Sequence, residues 1–187
     1  MHKASDILDN IAGKDESPKS RRKNMFDFFK KKKAPEGYKM TAVADGKVIP
    51  MSEAKDPVFS SCALGNGVVI QPTGEVVVAP AAGTVTVTMD DSNHAVGLEL
   101  EGGIEILIHI GVDTVELKGE GFESYIKNGD KVEAGAKLIH FDREALEAKG
   151  YCMEVMQIVM EGDKSAGVSY QTGMDAVAGE TVVAEWK

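Results

Sequence analysis

Cysteines, aromatics and long apolar runs are all scarce in this chain. Two cysteines in 187 residues, Cys62 and Cys152, cannot build a disulfide scaffold, so the fold must rest on a buried core. No apolar run approaches the roughly 18 residues of a membrane span, and no signal peptide opens the chain, which predicts a cytoplasmic protein. Aromatic residues make up only 6%, so aliphatic side chains must fill the interior. What the chain does have is glycine, 20 residues of it, punctuating short Val- and Ile-rich segments. That rhythm favours strands over helices and predicts an all-β fold. With 43% of its residues hydrophobic, the chain can bury one substantial core, which implies a single domain with a tail.

The formal net charge of -9 is unevenly spread. Residues 1–40 carry 11 Lys or Arg against 6 Asp or Glu, leaving 10 against 24 for residues 41–187. The expected organisation is therefore a basic, flexible tail over 1–40 and a folded domain over 41–187, divided near Ala34-Pro35-Glu36-Gly37. Within the tail, Met25, Phe26, Phe28 and Phe29 lie between two basic clusters, a composition suited to an anionic membrane surface. A nucleic-acid partner is not expected, because the acidic body offers no second basic patch to extend a groove. A monomer is expected.

From residue 41 the pattern is strand, turn, strand. Gly67–Ile70, Glu75–Ala79 and Gly83–Thr88 are β-prone, and the Val/Thr alternation of the last predicts a half-buried strand. Val132–Ile139 is echoed by Val177–Val183, each a strand entered through a glycine turn, which hints at a repeated β unit. One helix is predicted over Asp142–Gly150, with an acidic N-cap and a terminal glycine.

The stretch NHAVGLELEGGIEILIHIGVD places His94 and His109 on either side of Gly102-Gly103. A two-residue turn there predicts a hairpin in which Glu101 faces Ile104 and Val96 faces His109. Alternation of side chains then puts both histidines on one sheet face, near enough for their rings to meet. A neutral imidazole offers one nucleophilic nitrogen and one N–H donor near neutral pH, so one ring can attack an electrophile while the other steadies the arriving charge. Gly111, without a side chain, would let a phosphate-sized group approach the backbone. Asp113 could orient a ring nitrogen or accept from a partner's cation.

At these residues the chain resembles the glucose-family enzyme IIA of the bacterial phosphoenolpyruvate-dependent sugar phosphotransferase system. The resemblance is carried by Gly67–Gly74, Ala79–Val85, Asn93-His94-Ala95 and above all Ile108–Phe122, and it covers residues 41 to 187. It implies an antiparallel β-sandwich or barrel with Greek-key and jelly-roll connections and one or two short helices. It also implies that His109 accepts a phosphoryl group from the carrier HPr and passes it to a IIB domain, with His94 as the supporting imidazole and Asp113 and Ser92 completing the site. Phe59, Ile110 and Val112 are expected near His109 as a docking collar for HPr. No cofactor and no metal are expected. The basic tail is similar in kind to the amphipathic N-terminal segment of free-standing members, which adds a peripheral position at the inner face of the membrane. The segment Tyr151–Met160 departs from the family's usual Thr-Pro and leaves the path of that strand open.

Three rival readings arise. A zinc-dependent hydrolase could use His109 and Asp113, whose spacing suits two ligands, but its usual third ligand, a later His-x-His, is absent from the sequence. A lipoyl or biotinyl carrier lacks the lysine expected at a hairpin tip. A purely regulatory binding protein is compatible with phosphoryl transfer rather than opposed to it. His140 is expected at the surface.

Overall fold

In the computed structural model the described residues are 37–187, so the expected tail lies, but for its last four residues, outside them. The first strand, β1 (Tyr38–Thr41), spans the expected boundary at 40/41 and pairs with β14 (Val182–Trp186). With β12 (Ser169–Tyr170) these form a three-stranded sheet. A second three-stranded sheet orders β4 (Val76–Val78), β10 (Lys137–Phe141) and β8 (Phe122–Ser124).

The main sheet has eight strands in the order β13 (Met174–Ala176), β2 (Gly46–Pro50), β3 (Gly65–Pro72), β11 (Val155–Met160), β7 (Ile104–Ile110), β6 (Ala95–Leu100), β5 (Gly83–Thr88) and β9 (Lys131–Val132). Every pairing is antiparallel. The helices are short: α1 (Pro57–Ser60) and α2 (Arg143–Ala148). The second is the helix the sequence predicts, with the Asp142 carboxylate accepting from the Ala145 N–H at 3.0 Å.

Alternation along β7 divides the molecule. Ile104, Ile106, Ile108 and Ile110 are all 2% exposed or less and enter the main core with Val96, Leu98, Leu100 and Val155. Each such side chain contributes on the order of 2 kcal/mol by leaving water. The opposite face, bearing Leu107 and His109, meets a smaller apolar cluster of Ile49, Met51, Ala54, Phe59, Val69, Met156 and Ile158. That cluster exists because the chain folds a 3-10 turn, Met51–Glu53, and then α1 over the outside of the sheet.

The hairpin register differs from the one expected. Ala95, not Val96, faces His109, and Leu100 faces Ile104 across a three-residue loop, Glu101-Gly102-Gly103. This register sets Leu98 opposite Ile106 and Leu100 opposite Ile104, whereas the two-residue turn would have set Leu100 against Glu105. Matching buried residue to buried residue outweighs the turn dipeptide. In β5, too, the alternation breaks. A bulge between Val85 and Val87 keeps Val85 buried and leaves Val87 45% exposed.

The repeat has a physical counterpart. Gly135 and Gly179, at equivalent points of the two echoing segments, both take left-handed backbone (φ 79° and 74°), and their turns abut. The divergent segment Tyr151–Met160 supplies β11, flanked in unbroken register by β3 and β7. Far from the histidines in sequence, it is the immediate strand neighbour of one of them.

Candidate functional site

His109 lies one residue from the end of β7 with Met156 of β11 as its cross-strand partner. Its ring centroid is 4.8 Å from that of Phe59, tilted by 55°, and 4.8 Å from that of His94, edge-on at 82°. The two histidines meet as expected, but not by the expected route. In the observed register, strand alternation alone would send His94 to the core side, opposite His109. His94 instead precedes β6, and Asn93 before it takes a left-handed conformation (φ 51°) that redirects the chain. The turn from Met89 is fixed by main-chain bonds from Ser92 and Asn93 to the Met89 carbonyl.

Ser92 and His94 are both buried, and the Ser92 Oγ lies 2.7 Å from the His94 Nδ1. A serine hydroxyl donating to Nδ1 fixes the proton on Nε2, turning that edge of the ring into a donor. Burial lowers the His94 pKa. For His109 the effect is larger. Burial first, and the neighbouring His94 second, lower its pKa to about 4, against smaller upward contributions from the Gly111 backbone and the Asp56 carboxylate. The ring is therefore neutral at physiological pH. Its Nδ1 is buried without a well-aligned hydrogen bond.

The remaining expected site residues separate. Phe59 is 7% exposed and covers His109 directly. Ile110 is fully buried in the core, its side chain on the opposite face from His109, so it cannot belong to a docking collar. Val112 is half-buried, with its N–H donated to the Cys152 carbonyl. Gly111 is buried, and a Cβ there would lie 2.4 Å from Thr114 Cγ2. Its missing side chain thus makes room for Thr114. Asp113 is exposed, in left-handed backbone (φ 59°), with no hydrogen bond to either imidazole.

Several neighbours escaped the sequence reading. Asp56 caps α1, accepting from the Val58 N–H at 2.6 Å, and its charge reaches His109. The string Asp56-Pro57 is a helix-start signal that could have located it. Val58, Val87, Met89 and Val115 are exposed apolar residues in the segments carrying Phe59, His94 and Gly111 or, for Val87, opposite Gly97 on the hairpin. Met156 carried no local signal, because its place beside His109 is purely tertiary.

Among the described residues no group of three His, Cys, Asp or Glu is arranged to hold a metal ion, so the third ligand of the zinc-hydrolase reading is not supplied. Comparisons with known proteins give that reading no support either. Residues 38–165 match the family model for the phosphoenolpyruvate-dependent sugar phosphotransferase system, EIIA 1. The chain is 41% identical over 144 residues to the PTS system glucose-specific EIIBCA component of Corynebacterium glutamicum, covering 77% of this chain and 21% of that protein. It thus spans about a fifth of that relative's length. It is 37% identical over 163 residues to the PTS system glucose-specific EIIA component of Halalkalibacterium halodurans, covering 85% of this chain and 94% of the relative. The solved structure of glucose permease IIA from Mycoplasma capricolum superposes with a TM-score of 0.72 at 34% identity, over 81% of this chain and 97% of that one. With an antiparallel β fold, a family-model match over residues 38–165 and a full-length relative at 37% identity, the chain belongs to the EIIA 1 family of the phosphoenolpyruvate-dependent sugar phosphotransferase system.

Proposed function

We propose that His109 is the phosphoryl-accepting residue and that His94 is its electrostatic partner. The observation that carries this reading is the edge-on imidazole pair, in which burial keeps His109 neutral at physiological pH while Ser92 steadies His94 from behind. A neutral His109 presents an unprotonated Nε2 whose lone pair attacks the phosphorus of a phosphohistidine donor. The P–N bond to the donor breaks as the new one forms, and the donor imidazole leaves with the bonding pair. The His94 Nε2–H donates to a phosphoryl oxygen as charge spreads over the equatorial oxygens. Because the transition state is loose, positioning and fixed dipoles supply most of the catalysis, and no metal or cofactor is required.

The donor is HPr and the acceptor a IIB domain, the latter in keeping with the EIIBCA names of relatives. Docking rests on Val58, Val87, Met89 and Val115 around Phe59, with Asp56 and Asp113 offering carboxylates to a basic partner. Transient interfaces commonly have such an apolar centre with a charged rim. The protein acts on the cytoplasmic side, with residues 1–36 as a candidate contact to anionic lipid. The test is incubation with phosphoenolpyruvate, enzyme I and HPr. An acid-labile phosphate on His109 is the expected result, and absence of any label overturns the reading.

A further inference from the structure

Glu154 is 4% exposed, yet among the described ion pairs no Lys or Arg meets its carboxylate. A buried acid without a cation is costly unless hydrogen bonds replace the lost water. Here the Lys55 N–H donates to Oε2 at 3.0 Å, and the Gln71 Nε2 reaches Oε1 at 3.5 Å. The residue's own carbonyl accepts from the Gly111 N–H at 2.8 Å. Glu154 immediately precedes β11, and its bonds to Lys55 and Gln71 draw the side chain toward the segment that leads into α1.

Two of these bonds, to Lys55 and to Gly111, lead along the chain toward the imidazole. Lys55 immediately precedes Asp56, the cap of α1, whose Phe59 lies against the His109 ring. Gly111 follows β7 two residues after His109. On the flank of Lys55 a cleft of about 300 Å³, bordered by Lys55, Gln71, Tyr151 and Glu154, leaves the segment without close packing. The carboxylate is therefore the polar tether of the segment on that side, beside the apolar seat made by Met51, Ala54 and Phe59.

We propose that Glu154 is a positioning residue that fastens both walls of the His109 site, its carboxylate seating the Lys55–Phe59 cover and its carbonyl seating Gly111. The proposal deepens the phosphocarrier reading and rests on it for the effect on the donor, but its geometric part stands without it. Through Phe59 the cover excludes water from His109, while through Asp56 it brings a carboxylate toward the ring. The charged and titratable groups facing that ring are His94 and Asp56, and burial outweighs both. Loosening the cover must then raise the His109 pKa even as Asp56 recedes.

Two substitutions separate geometry from charge. Glu154→Gln keeps a carbonyl acceptor of the same length and removes the charge. Glu154→Asp keeps the charge and shortens the reach by one methylene. NMR titration of His109, with the half-exposed His140 as internal control, and the HPr concentration for half-maximal labelling are measured in the full chain. Glu154→Gln is expected to match the parent in both. Glu154→Asp is expected to titrate at higher pH at His109 and to need about tenfold more HPr, the scale of one lost hydrogen bond. An Asp variant that matches the parent, or a Gln variant that shifts as far as Asp, overturns the proposal. A parent protein that takes no label would overturn the phosphocarrier reading instead, and the titration would still decide whether Glu154 positions the cover.

Discussion

The two faces of β7 are made from the same seven residues and obey different rules. On the inner face four isoleucines repeat every second position and are buried to the same extent. On the outer face Glu105, Leu107 and His109 grade from exposed to partly covered, and what covers His109 comes from three distant places: Asn93-His94, Phe59 and Met156. The inner face is a packing surface that any well-shaped aliphatic set would satisfy. The outer face is an assembly whose parts have meaning only together.

That contrast predicts a double dissociation, and its strongest arm is His109. His109→Gln should abolish HPr-dependent labelling while shifting the thermal midpoint little, because the ring belongs to neither apolar cluster of the core. Retained label on the variant would show that the nucleophile lies elsewhere. Next in size, His94→Gln keeps an N–H donor without a nucleophile, so the protein should still accept phosphate but pass it to IIB slowly. Outright loss of one transition-state donor would cost about 10²–10³ in rate, which sets the upper bound for a donor that is kept but displaced. Rapid-quench measurement of both half-reactions checks this, and equal slowing of the two would remove the asymmetry.

On the inner face, Ile108→Ala should do the reverse. It should cost about 2–5 kcal/mol in chemical denaturation while the folded fraction still takes label. A variant that folds well but cannot be labelled would show that the faces are coupled.

A smaller effect follows from His109's buried, neutral state. Between pH 6.5 and about 4 the unfolded chain takes up a proton at this position that the folded chain refuses, so this contribution to stability is present above 6.5 and lost as pH falls through the window. His109→Gln should flatten that part of the stability profile, and an unchanged slope would locate the proton uptake elsewhere. The smallest effect is expected from removing residues 1–36, which should leave labelling unchanged and reduce only salt-sensitive binding to anionic vesicles. Residues 37–40 must stay, since Tyr38 begins a paired strand.

The inner face was readable in the sequence because its information is local: alternation, glycine punctuation, and the capped helix at Asp142. Even the true register was present, in the match of Leu98 and Leu100 to Ile106 and Ile104, though the Gly-Gly turn signal pointed one residue away. The histidine pair was foreseen on a premise that failed. Asn93 restores by a left-handed residue what the register takes away, and no propensity argument anticipates such a compensation. Asp56 had a cap signature without a stated function, while Met156 and Glu154 reach the site only through strand order, which periodicity does not encode.

One further feature bears on how such a domain travels. The first and last strands lie side by side, with Tyr38 opposite Trp186 and their rings stacked 5.5 Å apart. Entry and exit of the folded unit therefore share one edge, away from any need to thread the sheet. A unit with adjacent ends can be appended to, or inserted into, another polypeptide without opening its interior. A circular permutant that joins residue 187 to residue 37 through a few glycines and opens the chain at the exposed Lys127-Asn128-Gly129 turn should consequently keep the imidazole pair intact.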